Sequence, residues 1–356
     1  MKKLKVGIIG TGGIACACHI PGYLSIPDQC EIKWLCDIKP KALDEALLLA
    51  PGAKTTADYR DLLADPEVDA VSVATPNRVH MDPTIDALRA GKHVLCEKPL
   101  AMDRHEAKKM CRAAKESGKI LQVGLQMRFG GAARFMKDYI DAGHMGDIYY
   151  ARAQALRRRG VPSWGVFIDR EQQGGGPLID IGVHIMDLTL HLMGYPKPVS
   201  ASGKTWDTLG KNPDLVNFWG PYDHSKFTVE DMAVGLVRFE NGAAVTLESS
   251  FMANIKEEFF RTELFGTKSG ALVKGAGSEP IEIYSETDKQ LFDCVPRNIP
   301  EVVSSHIAEV QEFVKAVHSG ALSPVPGENG LVLNAIFDAL YKSAETGKDE
   351  LIDVAY

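Results

Sequence analysis

The sequence predicts an α/β fold: an N-terminal doubly wound parallel sheet, followed by a C-terminal α/β part with a largely antiparallel open sheet. The first observation behind this is rhythm. Short β-rich apolar runs at 6–9, 32–36, 70–73, 93–96 and 120–123 alternate with helix-compatible stretches, and strands buried on both faces of a parallel sheet read as such continuous apolar runs. The second is a glycine-rich turn, Gly10-Thr11-Gly12-Gly13-Ile14-Ala15, directly after the first run. The third is a change of pattern after Gly124 to alternating runs joined by turn signals.

At 356 residues the chain exceeds the typical domain of roughly 100–200 residues, which predicts two domains, 1–125 and 126–356. Within the first, Asp103 is placed to cap a helix with Glu106 three residues on, and Gly118 to stop it. The second is expected to open with a helix over 132–142 and a strand over 147–157. An irregular stretch then runs to Gly174-Gly175-Gly176. Pro177 suits a first helical position, and Gly194 with Pro196 ends that helix. Strands follow at 232–239, 243–249, 261–265 and 281–284, with Asn241-Gly242 as a hairpin turn. Helices over 304–319 and 328–346 close the chain.

The formal charge of −7 excludes a phosphate-backbone partner, which requires a concentrated Lys/Arg surface; Arg157-Arg158-Arg159 is too short to supply one. No apolar run reaches the roughly 18 residues of a membrane span. Met1-Lys2-Lys3-Leu4 leads into a strand without a signal-peptide pattern, so a soluble cytoplasmic protein is expected. The seven scattered cysteines include no C-x-x-C pair and read as reduced thiols rather than a zinc set.

The glycine turn has the G-x-G-x-x-A form of the dinucleotide fingerprint, whose glycines let a pyrophosphate approach backbone N–H groups at a helix start. Gly10, Thr11, Gly12, Gly13 and Ile14 are therefore candidate cofactor residues. Asp37 ends the second strand about 20 residues beyond the turn, where an acidic group accepts from the adenosine ribose hydroxyls. Its charge would repel a 2′-phosphate, so NAD is expected, with NADP disfavoured. Thr75, Asn77 and His80 follow another strand at the carboxyl edge, where open α/β sheets bind ligands. In the second half, Asp180 and His184 lie four positions apart in an apolar segment. One helix would put both proton-handling groups on one face. The plainer alternative is that Asp180, His184, Asp187 and His191 are the wet stripe of an amphipathic helix.

The segments Gly10-Thr11-Gly12-Gly13-Ile14-Ala15, Ala74-Thr75-Pro76-Asn77, Cys96-Glu97-Lys98-Pro99 and Gly175-Gly176-Pro177-Leu178-Ile179-Asp180-Ile181-Gly182-Val183-His184 together resemble the Gfo/Idh/MocA oxidoreductases, the family of glucose-fructose oxidoreductase and inositol dehydrogenase. The resemblance extends over nearly the whole chain. It implies a Rossmann domain, a C-terminal domain whose open sheet mediates homodimers or homotetramers, and a sugar or cyclitol set against the nicotinamide. It maps the catalytic groups onto Lys98, Asp180 and His184 and places Glu97 at the nicotinamide end. By the same analogy Gln126 and Arg128 lie near the nicotinamide, and Trp164 near cofactor or substrate. Arg158 is a further candidate for substrate selectivity, as are Asp169, Arg170 and His306. No metal is expected.

Oxidising a secondary alcohol requires a proton acceptor, which suits an imidazole titrating near neutrality at His184. The Lys98 ammonium would stabilise charge growing on the oxygen, and Asp180 would orient the imidazole or bind a neighbouring hydroxyl. Two alternatives share the fold. One is an enzyme with tightly held NAD that uses transient 3-oxidation for glycoside cleavage or redox-neutral sugar exchange. The other is a non-catalytic dinucleotide sensor. Gly203-Lys204-Thr205 and His105-Glu106 begin other known signatures but lack the completing residues, since Pro198 and Lys109 stand in the required places.

Overall fold

The computed structural model describes residues 2–275 and 280–355. The chain divides into two compact units. One holds the residues up to Gln126 together with Val303–Asn334, and the other holds Met127–Val302 with Ala335–Ala355.

In the first unit, strands β1 (Leu4–Ile9), β2 (Cys30–Cys36), β3 (Lys54–Thr56), β4 (Ala70–Val73), β5 (His93–Glu97) and β6 (Leu121–Gly124) form an all-parallel sheet in the order β3-β2-β1-β4-β5-β6. The chain direction of the order reverses between β1 and β4, which is where doubly wound sheets open a ligand crevice at the strands' carboxyl ends. The helix Arg104–Ser117 starts with Asp103 accepting from the N–H groups of His105 and Glu106, and Gly118 ends it at φ 64°, as the sequence predicts.

The helix Ser305–Ser319 returns to this unit, where Val310, Phe313 and Val314 share a buried cluster with Val6, Ile8 and Leu35. Side chains then fasten the following segment. Ser323 Oγ donates to Gln122 Oε1 at 2.9 Å and Asn334 Nδ2 to the Ala101 carbonyl at 2.7 Å. The long helix Gly327–Thr346 begins in close contact with β6: a Cβ at Gly327 would lie 2.8 Å from Leu121 Cδ2.

The second unit carries β7 (Ile148–Leu156), β8 (Pro198–Trp206), β9 (Met232–Phe239), β10 (Ala244–Ser250), β11 (Phe259–Gly266), β12 (Ser269–Lys274), β13 (Ile281–Thr287), β14 (Gln290–Cys294) and β15 (Glu350–Leu351). Their order is β14-β13-β12-β11-β7-β10-β9-β8-β15. All neighbours pair antiparallel except β7 with β10. The helix Gly182–Leu192 packs against β7 and β11, which buries Ile185, Met186, Leu188 and Leu190. Gly203 and Gly235 allow the close approach of Leu340, which a Cβ at Gly235 would meet at 2.3 Å. Gly203-Lys204-Thr205 lies inside β8. No helix among the described residues is long and apolar enough to cross a membrane.

Candidate active site

At the end of β1 the backbone turns at Gly10 with φ 86°, and a Cβ there would stand 2.7 Å from the Ala74 carbonyl. No residue but glycine fits both constraints. Gly12 and Gly13 face open space, with nothing within 4 Å of a built Cβ. The chain then enters a helical segment that is π-helical over Ala15–His19 and α-helical over Ile20–Leu24. Asp37 locks the turn from the next strand: Thr11 N–H donates to its Oδ2 at 2.8 Å and Lys39 N–H to its Oδ1 at 2.9 Å. The Thr11 hydroxyl also donates to Oδ2, at 3.4 Å, and since a carboxylate has about four acceptor positions, Oδ1 keeps capacity for a ribose hydroxyl. An open glycine face at a helix start, with an acidic group beside it, fits the pyrophosphate and adenosine ribose of a dinucleotide.

Two further strand ends build the rest of this unit's share. His80 is fully buried, with Nδ1 2.9 Å from the Pro99 carbonyl and Nε2 2.9 Å from the Thr75 carbonyl. Burial lowers its pKa, against the pull of those carbonyls. The neutral ring donates to one at a time, tying the loop after β4 to the loop after β5. Asn77, partly buried, opens the single turn Asn77–Val79 between them.

Beside Lys98 lies a buried chain of polar groups that the sequence did not reveal. Glu97 Oε1 is 2.9 Å from His19 Nε2, His19 Nδ1 is 3.1 Å from Ser72 Oγ, and Ser72 Oγ is 2.7 Å from Tyr23 Oη. An ionised carboxylate only accepts, so Nε2 carries the proton. Ser72 Oγ bridges the other ring nitrogen, Nδ1, and Tyr23 Oη. Glu97 Oε2 accepts the Lys98 N–H at 3.1 Å. Burial pushes the Glu97 carboxyl up, but the His19 imidazole, the Lys98 ammonium and the Lys98 N–H outweigh it and hold it below the ordinary glutamate range. His306 lies in the field of the same group: burial lowers its pKa, Glu97 opposes, and His19 and Lys98 reinforce.

In the second unit the predicted single helix is interrupted. Pro177–Asp180 forms one short helix, Gly182–Leu192 the next, and Ile181 between them has φ −112°. The Pro177 carbonyl accepts both the Ile181 N–H at 3.1 Å and the Ser249 hydroxyl at 2.7 Å, so the first helix closes on Ile181 while Ser249 ties it to β10. Asp180 therefore ends one helix and His184 lies in the first turn of the other, both partly buried. The entry to this segment is held by Glu230, which the sequence reading also missed. Its buried carboxylate accepts from Gly176 N–H at 3.0 Å, Leu178 N–H at 3.1 Å and Tyr341 Oη at 2.8 Å. Burial raises its pKa despite these donors. Gly175 and Gly176 make room for the arrangement, since a Cβ at Gly175 would lie 1.9 Å from Tyr341 Oη.

Arg128 is buried and pairs with Asp187 through two hydrogen bonds, one of them Nε to Oδ2 at 2.8 Å, and Arg128 Nη2 donates to Tyr195 Oη at 2.8 Å. Burial would lower the guanidinium pKa; the Asp187 carboxylate and Tyr195 outweigh it and raise it. Next to this pair His191 falls to about 4, from burial first and the Arg128 charge second. Asp187 thus leaves the wet stripe for a buried ion pair. Arg158 is exposed, while its neighbour Arg157 is partly buried in the field of Asp180. Trp164 is 57% exposed. Gln126 opens the turn Gln126–Phe129 that leads to Arg128. Among the described residues no three His, Cys, Asp or Glu side chains gather in a way that would hold a metal.

A doubly wound sheet with an open glycine cradle and an answering carboxylate defines a dinucleotide-binding protein, here joined to a second unit with its own open sheet. Family comparison makes this specific. Residues 4–125 match the oxidoreductase family's NAD-binding Rossmann fold and residues 133–272 match the GFO/IDH/MocA C-terminal domain. The chain belongs to the Gfo/Idh/MocA oxidoreductase family. It is 36% identical over 350 residues to the D-glucoside 3-dehydrogenase of Escherichia coli K12, covering 97% of each chain. It is 27% identical to the levoglucosan dehydrogenase of Pseudarthrobacter phenanthrenivorans, covering 99% of each. A solved levoglucosan dehydrogenase in complex with NADH and levoglucosan has the same fold, with a TM-score of 0.85 at 24% identity over 99% of this chain and 100% of that one.

Proposed function

We propose that this protein is an NAD-dependent dehydrogenase that oxidises a secondary hydroxyl of a glycoside, with the C3 hydroxyl of a D-glucoside as the leading substrate class. The observation that carries the reading is the 36% identity over 97% of the chain to a D-glucoside 3-dehydrogenase. Lys98 falls within residues 4–125 and the Asp180/His184 pair within residues 133–272, the two stretches that match the family, and a buried carboxylate, Glu97 or Glu230, engages backbone N–H groups beside each.

Gly10, Thr11, Gly12, Gly13 and Ile14 would hold the pyrophosphate and Asp37 the adenosine ribose. Thr75, Asn77, Glu97 and Gln126 would line the nicotinamide side, with His80 acting through the two loops it joins. NAD, when bound, supplies the hydride acceptor. His184 takes the proton of the reacting hydroxyl, a contribution of roughly 10²–10⁴-fold from a positioned base. Lys98 places a positive charge at the oxygen as negative charge grows there. Asp180 orients the imidazole or accepts from a neighbouring hydroxyl. The donors of Arg128 face Asp187 and Tyr195, which supports a positioning role for it beneath the substrate; Arg158 and Trp164 supply selectivity.

Sugar-dependent NAD reduction by the wild type, Lys98→Ala and His184→Ala tests this over a panel of glucosides, hexoses and inositols. Wild-type NADH formation with glucosides, reduced at least 100-fold in His184→Ala while NAD affinity persists, is expected. A wild type that binds NAD but reduces none with any substrate would leave a sensor. Turnover of added sugars without net NADH would indicate a recycled cofactor instead.

A further inference from the structure

Beyond Asp180, the second unit carries an aromatic assembly that extends from Trp164 and whose other members have no role in the reaction as proposed. Residues 157–164 and 215–220 are clipped together by backbone and side-chain bonds. Val161 N–H donates to Asn217 Oδ1 at 2.9 Å, and Asn217 Nδ2 donates to the carbonyls of Val161 and Gly220, each at 2.8 Å. Phe218 N–H donates to the Arg159 carbonyl at 3.1 Å, and the Ser163 hydroxyl donates to the Trp219 carbonyl. Gly220 sits at φ 99°, and a Cβ there would lie 2.7 Å from Ser163 Oγ, so the loop geometry is built around this contact.

The result is a ladder of planar groups. Trp164 and Trp219 stack with ring centroids 5.6 Å apart and an interplanar angle of 11°. The Arg157 guanidinium lies 4.0 Å from the Trp219 ring centroid, and its Nη1 also donates to the Gly160 carbonyl at 3.2 Å. Arg157 in turn feels the Asp180 carboxylate. Arg157, Trp219 and Trp164 thus form one contiguous series that ends in solvent, and β10 ties its inner end to the segment of Asp180: Ser250 Oγ donates to the Arg157 carbonyl at 3.0 Å and the adjacent Ser249 hydroxyl to the Pro177 carbonyl at 2.7 Å. At its outer end Trp164 is 57% and Phe218 73% exposed. Fixing two indoles in parallel with one left more than half exposed is a poor way to fill a core and a good way to present a rigid apolar face with polar edges. The C–H face of a pyranose is flat, weakly apolar and ringed by hydroxyls, and it matches such a surface.

We infer that the Trp164–Trp219 ladder is a stacking platform for a second ring carried on the anomeric oxygen of the substrate, so that the preferred glycosides are two-ring compounds such as disaccharides rather than small alkyl glycosides. This rests on the preceding reading, in which Asp180 faces the sugar that is oxidised. Arg157 and Trp219 act as positioning residues and Trp164 makes the contact.

The test compares cellobiose with methyl β-D-glucoside as substrates for the wild type, Trp164→Ala, Trp219→Ala and Trp164→Phe. The ratio of kcat/KM for cellobiose to that for the methyl glucoside is expected to fall about tenfold in both alanine variants, mainly through KM. Trp164→Phe should recover most of it. A ratio within twofold of wild type in both alanine variants overturns the platform, even if both rates drop. Calorimetric titration of cellobiose into NAD-saturated wild type and Trp164→Ala separates this failure from failure of the reaction. If the wild type turns over no glycoside but binds cellobiose in a Trp164-dependent way, the dehydrogenase reading falls and the platform stands; if it neither turns over nor binds, both fall.

Discussion

Replacing His19 by alanine should weaken the first unit more than its place in a short helical segment suggests. His19 and Glu97 are both almost wholly buried and 2.9 Å apart. The substitution removes the N–H that faces the carboxylate, a charged hydrogen bond of roughly 1.5–3 kcal/mol, and the ring partner of Ser72, a further bond of about 1 kcal/mol. The carboxylate then keeps the Lys98 N–H, at 3.1 Å. A total loss of about 3–5 kcal/mol is expected, the range for stranding one partner of a buried pair.

Glu97→Gln preserves shape and an acceptor for Nε2–H but removes the charge, so in that background His19→Ala forfeits only neutral contacts, about 1–2 kcal/mol. The double-mutant cycle should therefore give a coupling energy of about 2 kcal/mol. Amide hydrogen exchange of peptides spanning β1 and β5 reads this within the first unit, without assuming that the two units unfold together. A coupling below about 0.5 kcal/mol, the level of independent sites, would refute the pairing of His19 with Glu97.

Three other outcomes follow from the same structure. Gly10→Ala, at φ 86° with its new Cβ 2.7 Å from the Ala74 carbonyl, should raise the Kd for NAD at least tenfold in a fluorescence titration, and an unchanged Kd would show that the turn tolerates the side chain. Asp37→Ser removes the charge opposed to a 2′-phosphate while keeping an acceptor for Thr11, so the ratio of NADP to NAD affinity should rise at least tenfold; a constant ratio would move the discrimination elsewhere. His93 and His191 are lowered to about 4, His80 and His306 are lowered as well, and burial leads in all four. The unfolded chain therefore takes up protons from about pH 6.5 downward that the folded chain resists, down to about pH 4 at His93 and His191. Stability should fall as pH drops through that window, by at most about 1.4 kcal/mol per unit for each ring. Glu106, Glu230 and Asp231, raised by burial, oppose this at its lower end. A Tm that stays level or rises between pH 6.5 and 4.5 would contradict the burial of these imidazoles.

The parallel sheet was legible because β1, β4 and β5 are buried on both faces and so leave unbroken apolar runs. Strands without that signature were not. β3 is the polar Lys-Thr-Thr and β14 is exposed throughout. β8 begins at a proline and carries Ser, Gly and Lys on its paired length. In the candidate site, chemistry that depends on local spacing was readable in the glycine turn, whereas the single helix expected to carry Asp180 and His184 is broken at Ile181. What spacing cannot show is which distant acid holds each segment: Glu97 meets His19 from 78 residues away, Glu230 meets Gly176 from 54 and Arg128 meets Asp187 from 59. The one local hint was Glu230-Asp231, two acids opening an apolar strand, where ionised side chains are out of place unless something receives them.

Those three distant pairings share a design. Each segment that bears candidate groups is fastened by a buried carboxylate engaging neighbouring donors: Glu97 takes Lys98 N–H, Glu230 takes the N–H groups of Gly176 and Leu178, and Asp187 takes the Arg128 side chain. Burying an ionised carboxylate is costly, and apolar packing would give stability at less expense. What the carboxylate adds is direction, because it accepts only from donors aimed at its oxygens and so fixes backbone and side-chain orientation together. A reaction that loses about a hundredfold for roughly 1 Å of misplacement rewards that precision more than it rewards extra stability. Neutral isosteres at these positions, Glu97→Gln and Glu230→Gln, should on this argument lower kcat more than they lower Tm. The reverse ranking, a large drop in Tm with kcat preserved in the folded fraction, would assign the three carboxylates to the fold alone.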